Sequence, residues 1–171
     1  MKSTFKSIFA LIALSAAALV SVAPAQAGAL TDYAENKVVD ALMRGQALGA
    51  PASLYIGLDT VACTETGGGT EVSGGSYARV AVTSSLTNWA GTQAAASTVA
   101  SSGTSGTTSN NAVISFPTPT ATWGTVVSVR FWDAASAGNA WICTTLGINK
   151  TINQGDAVTF PAASLTFQVD N

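Results

Sequence analysis

Apolar residues recur along this chain with two different periods. Early on, Leu30, Tyr33, Ala34, Val38, Ala41 and Leu42 return at helical spacing. Thr31 suits an N-cap, Asp32 and Glu35 place negative charge in the first turn, and Arg44 followed by Gly45 suits the other end. The spacing predicts one amphipathic helix over 31–44. The Gly49-Ala50-Pro51 stretch then stops it and leads into extended chain.

From there the period is two. Leu54, Ile56 and Leu58 alternate within 53–58, and Ala78, Val80 and Val82 within 77–83, opposite Tyr77, Arg79 and Ala81. Ala112, Ile114 and Phe116 share a face of 112–116. The strongest signal is 125–133, with Val127, Val129 and Phe131 against Val126, Ser128, Arg130 and Trp132. Segments 140–145, 157–160 and 165–169 complete the set, each bounded by turn-forming residues. The pattern predicts a mainly β fold, an antiparallel β-sandwich of jelly-roll-like type with one N-terminal amphipathic helix. Two stretches read as loops: the Gly-rich 64–76, and 91–110, almost wholly Ala, Ser, Thr and Gly. The second is expected as a flexible excursion, with a pair of weak edge strands as the other reading.

The first 27 residues stand apart. Lys2 and Lys6 precede an apolar run over 8–22, and Ala25-Gln26-Ala27 has the small-x-small form of a signal-peptidase site. The run is short for a membrane span. A secretory signal over 1–27 is therefore expected, followed by one domain over 28–171 that reaches its place by Sec-type export to the cell surface, a virion or the medium. Without Lys2 and Lys6, five basic residues face nine acids, a net charge of −4. So acidic and charge-poor a surface is a poor match for nucleic acid, which needs clustered Lys and Arg.

The chemical inventory is thin. The chain has no histidine, which removes Ser-His-Asp and Cys-His catalysis and the commonest zinc ligand. Cys63 and Cys143 form no CxxC motif. In an exported protein they can form a disulfide, worth about 4–5 kcal/mol in the loop-entropy treatment; two separate buried thiols are the alternative. Asp59, Glu65, Glu71, Asp133 and Asp156 fall near strand ends. Their plain reading is as solvated turn residues; a glycosidase-like pair drawn from Asp59, Glu71, Asp133 and Asp156 is the remaining enzymatic option. No calcium-ligand spacing supports them. Trp89, Trp123 and Trp141 are candidate surface-binding aromatics for a sugar, against the plainer reading of tryptophan as core or interface. Trp132 shares a strand face with Arg130, which suits a stacked pair. Thus no catalytic residue, cofactor or metal is assigned.

A series of segments then resembles a known family: Ala29-Leu30-Thr31-Asp32-Tyr33-Ala34-Glu35-Asn36-Lys37, Ala50-Pro51-Ala52-Ser53-Leu54-Tyr55-Ile56-Gly57-Leu58, Thr70-Glu71-Val72-Ser73-Gly74-Gly75-Ser76-Tyr77-Ala78-Arg79, Val113-Ile114-Ser115-Phe116-Pro117, Trp123-Gly124-Thr125-Val126, Phe131-Trp132-Asp133-Ala134-Ala135 and Asn153-Gln154-Gly155-Asp156. In this order they resemble the small structural proteins of tailed bacteriophages, tail fibre or minor tail proteins. The resemblance implies a virion component that works by assembly, with other virion or appendage subunits, further copies of itself and a host surface glycan or protein as partners. It carries over no catalytic or binding residue. Asn153 to Asp156 reads as a hairpin-type turn. The leader departs from the family pattern, since such proteins usually begin near the helix. It motivates a second expectation, an exported bacterial filament subunit or adhesin.

Overall fold

The computed structural model describes residues 29–169 and, ahead of them, the backbone of Leu19–Ser21. The remainder of the expected leader, its cleavage site included, lies outside the described residues. The elements are β1 (Leu19–Ser21), β2 (Ala29–Leu30), α1 (Asp32–Met43), β3 (Ser53–Val61), β4 (Thr70–Glu71), β5 (Val80–Thr83), β6 (Thr107–Ser109), β7 (Ile114–Ser115), β8 (Gly124–Trp132), β9 (Ala140–Ile152), β10 (Ala157–Phe160) and β11 (Thr166–Gln168). The fold is mainly β, with one helix.

The principal sheet runs β2-β9-β8-β3-β4, and β5 pairs with the first half of β3. Its pairings are antiparallel. Ile56 lies opposite Phe131, and Phe131 opposite Ile142, so one face carries a row of apolar side chains across three strands. Against it stand shorter pieces, β7 with β10 and β6 with β11, antiparallel in both cases. β1 lies along β10 in parallel. The core between the layers contains Ile56, Leu58, Val129, Phe131, Phe116, Phe160, Val158 and Leu165, all buried. Phe116 meets Phe160 edge-on at 6.2 Å and Tyr77 at 6.4 Å.

β3 is served by two short strands on its outer side, and the gap between them is closed by a side chain. β5 reaches Ile56 and β4 begins opposite Asp59. At Leu58 the backbone N–H donates to the Tyr77 hydroxyl at 2.8 Å, and the Leu58 carbonyl accepts from Val72 N–H. A buried edge thus keeps its hydrogen bonds without a continuous strand. Tyr77 is held there by edge-on packing on Trp123, 5.2 Å between centroids. The Trp123 indole in turn donates to the Gly75 carbonyl at 2.9 Å. Gly75 has φ +53, and a Cβ there would sit 3.0 Å from that indole nitrogen.

Two expectations change. Asn153 to Asp156 is a turn but not a hairpin: it leads from β9 in the principal sheet to β10 in the other layer, closed by Asn153 N–H donating to Asp156. The helix keeps its N-cap, with the Thr31 hydroxyl accepting from Ala34 N–H and donating to the Ala140 carbonyl. Its apolar stripe, however, is split. Ala34 is buried and Tyr33 packs edge-on against Trp141 at 5.5 Å, whereas Leu42 is 77% exposed. The helix is attached at its first turn, through Thr31 N–H to Trp141 O and Asp32 N–H to Glu65 O, so its far end stands off the body.

Candidate interaction surface

The face of the principal sheet opposite the apolar row carries an unexpected polar cluster. Register places Gly57 beside Arg130, Asp59 beside Ser128 and also beside Glu71 of β4. Asp59 is wholly buried and Arg130 nearly so. Arg130 Nε donates to both Asp59 oxygens, at 3.1 and 2.9 Å, its Nη2 donates to Oδ1, and Ser128 adds a longer bond. Beside this pair, Arg79 grips Glu71 in bidentate fashion, Nε to Oε1 at 2.8 Å and Nη2 to Oε2 at 2.7 Å. Arg79 Nη1 donates to the Ala134 and Ala137 carbonyls. The Tyr77 hydroxyl donates to Glu71 Oε1.

Trp132 joins the two ion pairs. The Arg79 guanidinium lies 3.8 Å from the ring centroid and that of Arg130 4.5 Å. The Arg130–Trp132 stack was legible in strand alternation; Arg79 as its second partner was not. Room for the arrangement comes from Gly57: a Cβ there would lie 2.8 Å from Glu71 Oε1 and 3.0 Å from Trp132 Nε1. Burial raises the Asp59 carboxyl above the ordinary aspartate value, against the opposing pull of Arg130. Burial works in the same sense on Glu71, but there Arg79 and Tyr77 win and its carboxyl falls below the ordinary range. Burial also pushes the Tyr77 hydroxyl up.

Asp59 and Glu71 are therefore not solvated turn residues. The principal sheet buries Asp59 completely, and it can do so because an arginine one strand away meets both carboxylate oxygens. Nor do the acids suit a glycosidase-like pair: Asp59 and Glu71 each have their oxygens engaged by an arginine. Asp133 accepts from Asn139 through backbone and side chain, Asp156 closes its own turn, and Glu65 is exposed on the loop that holds α1. Burial opposes ionisation of Asp133, and the bonds from Asn139 outweigh it, so its carboxyl is lowered.

Cys63 and Cys143 are joined by a disulfide, with Cα atoms 5.9 Å apart. Cys63 N–H donates to Ser128 Oγ, so the bond lies next to the Asp59–Arg130 pair. It ties the loop after β3, which carries Glu65 and hence the start of α1, to β9.

The tryptophans fall in different places from those a sugar platform needs. Trp123 and Trp141 are 5% and 8% exposed: the first is locked under Tyr77 and Gly75, the second under Tyr33. Burial removes both from the surface. Trp89 is half-buried, packed on Phe131 at 5.9 Å, and borders an open groove of about 550 Å³. Leu54, Leu86, Phe131, Ile142 and Phe167 give the groove an apolar floor, with Ser84, Ser85, Ser101 and Thr108 around it. The indole N–H of Trp89 is buried with no acceptor among the described residues.

Sequence reading also missed Asn110, a buried hub. Its Nδ2 donates to the Ala112 and Pro161 carbonyls at 2.7 and 2.8 Å, and its Oδ1 accepts from Leu165 N–H at 2.9 Å. It fastens the exit of the 91–110 segment to both short strand pairs. Within that segment Gln93 bonds to Ser97, Ala100 and Ser102, and its last part forms β6.

A β body whose internal charges are neutralised in pairs, with a helix held out from it, suits a structural protein. The chain is of the phage tail fibre class. Residues 29–168 match the podophage GP4 fiber I protein gp80 family, and the chain belongs to that family. No curated protein matches it significantly.

Proposed function

We propose that this chain is a tail fibre or minor tail component of a phage-type virion, acting by assembly with other subunits and by contact with a host surface rather than by turnover. The observation that carries this reading is the family match across residues 29–168. The polar cluster supports it, because arginine-clamped carboxylates serve rigidity and not proton transfer. Host contact then falls to surfaces other than Trp123 and Trp141. Particles purified from a culture carrying this gene, digested and analysed by mass spectrometry, contain the chain on this reading, and antibody-gold marks the tail. Intact particles free of it would overturn the reading.

The disulfide favours a particular route. Bonds of this kind persist in oxidising compartments. Together with Lys2, Lys6 and Ala25-Gln26-Ala27, it supports export of the chain before assembly. A bacterial surface filament or adhesin built on the same domain is the second reading, and the same two features favour it. Fractionation decides: chain on cells that release no particles is the adhesin or filament, chain on tails the fibre.

A further inference from the structure

β10 lies between two unlike neighbours. On one side is β7, part of the domain; on the other is β1, from within the expected leader. Register decides which main-chain groups of β10 serve which neighbour. Phe116 N–H donates to the Val158 carbonyl at 3.0 Å, so Val158 faces β7. Antiparallel pairing alternates. Phe160, opposite Ile114, therefore faces β7 as well, and Thr159, opposite Ser115, turns its N–H and carbonyl the other way, as does Ala157. β1 lies along that outward row, with Leu19 beside Ala157, Val20 beside Val158 and Ser21 beside Thr159. This phase makes Val20 the residue that bonds β10: its N–H is directed to the Ala157 carbonyl, and its carbonyl to Thr159 N–H.

We infer that β1 is a detachable cap on the β10 edge: residues 19–21 close that edge in the full chain, and cleavage within 22–28 opens it. The two segments match in charge, since neither 8–22 nor 157–160 contains a charged residue and the pairing buries no charge. The connection matches too. β1 belongs to the layer of β10 and β7, and β2 to the principal sheet, so 22–28 leads from one layer to the other. A stretch of that length reaches at most roughly 25 Å, ample for layers roughly 10 Å apart. Ala25-Gln26-Ala27 lies within it. Hydrolysis of the Ala27–Gly28 bond by a signal peptidase, with water adding across the bond, severs the tether and touches neither layer. A freed strand of 3 residues loses the roughly millimolar effective concentration that its tether supplied. The chain from 28 onward then presents Ala157 and Thr159 as an open strand edge. No charge or proline within 157–160 blunts it, and Val158 and Phe160 are fixed in the core beneath. Such an edge takes an extended, uncharged peptide backbone, of which the leader strand is the example in place. The opening step rests on the export reading; the cap itself does not.

The test is amide hydrogen exchange, followed residue by residue by NMR, on the purified full chain. Thr159 N–H is protected in the native chain. Val20→Pro removes the strand's donor and turns its ring toward Ala157, so Thr159 exchanges roughly 10-fold faster or more. Val158 and Phe160, which face β7, keep their native rates. Leu19→Pro leaves Thr159 protected, because the Leu19 N–H faces away from β10. Leu19→Gly, Val20→Gly and Ser21→Gly together form the second opening variant, without proline. An endoprotease site built into 22–28 and cut in the folded chain brings Thr159 to its rate in Val20→Pro. Free exchange of Thr159 in the native chain, unchanged protection in both opening variants, equal loss with Leu19→Pro, or protection that survives the cut overturns the inference. The export reading fails separately: chain recovered from cells or particles with residues 19–21 still attached keeps the cap closed and sinks only the opening step.

Discussion

Replacing both cysteines, Cys63→Ala with Cys143→Ala, is the most informative single perturbation of the body. The bond spans 80 residues of chain. In the chain-entropy treatment a loop of that length removes about 15 cal/mol/K from the unfolded ensemble, or about 4.5 kcal/mol at 25 °C. For a domain of this size the loss lowers the unfolding midpoint by roughly 10–18 °C. Both sulfurs are buried, so some packing goes as well, in the same direction. Urea unfolding of the native and double-alanine chains, followed by tryptophan fluorescence, measures the difference. The slope against urea also steepens in the variant, because an unbridged unfolded chain exposes more surface. The native chain under strong reductant should approach the variant. Unfolding free energies within about 1 kcal/mol of each other would refute the reasoning. The closed loop would then contribute little, and the attachment of the Glu65 loop and α1 to β9 would rest on Thr31 and Trp141 instead.

Gly57→Ala forces a methyl against Glu71 Oε1 and Trp132, both fixed by Arg79, and should cost about 1–3 kcal/mol by chemical denaturation; unchanged stability would show that the cluster yields easily. Asn110→Ala strands the Ala112 and Pro161 carbonyls and the Leu165 N–H, so a loss of roughly 2–4 kcal/mol is expected, with earlier hydrogen exchange in β6 and β11; protection equal to the native chain would contradict the hub role. Glu71 is held below its ordinary value, so its contribution is complete above about pH 4.3 and fades as pH falls through the lower folded value. The stability gap between the native chain and Glu71→Gln should therefore narrow on acidification, and a gap constant from neutral to strongly acidic pH would count against the pairing.

Much of the frame was legible in the residues. The helix came from spacing and from Thr31, and seven strands came from alternation, because those signals are local. What escaped reading depended on distant partners. Whether Asp59 faces water or Arg130 turns on a pairing 71 residues apart, and alternation alone marks a buried acid at a strand end as a turn residue. Arg79 and Glu71 were visible as separate members of a motif series, but nothing local says that the turn at 74–76 carries both Tyr77 and Arg79 back onto Glu71. β4 and β6, two and three residues long, are too short for a period to show. Leu42 fitted the helical stripe by spacing, yet spacing does not reveal how far along its length a helix remains seated. The tryptophans were readable as aromatic mass; only packing sorts the buried Trp123 and Trp141 from Trp89 at a groove.

The clamped carboxylates bear on where such a body can survive. Dissolved ions weaken attraction between charges that water can reach, and they act far less on pairs shut away from it. Asp59 with Arg130, and most of Glu71 with Arg79, are sealed in this way. The domain should keep its shape from dilute fresh water to brine, a property that suits a component of a virion, which meets media of every salt content.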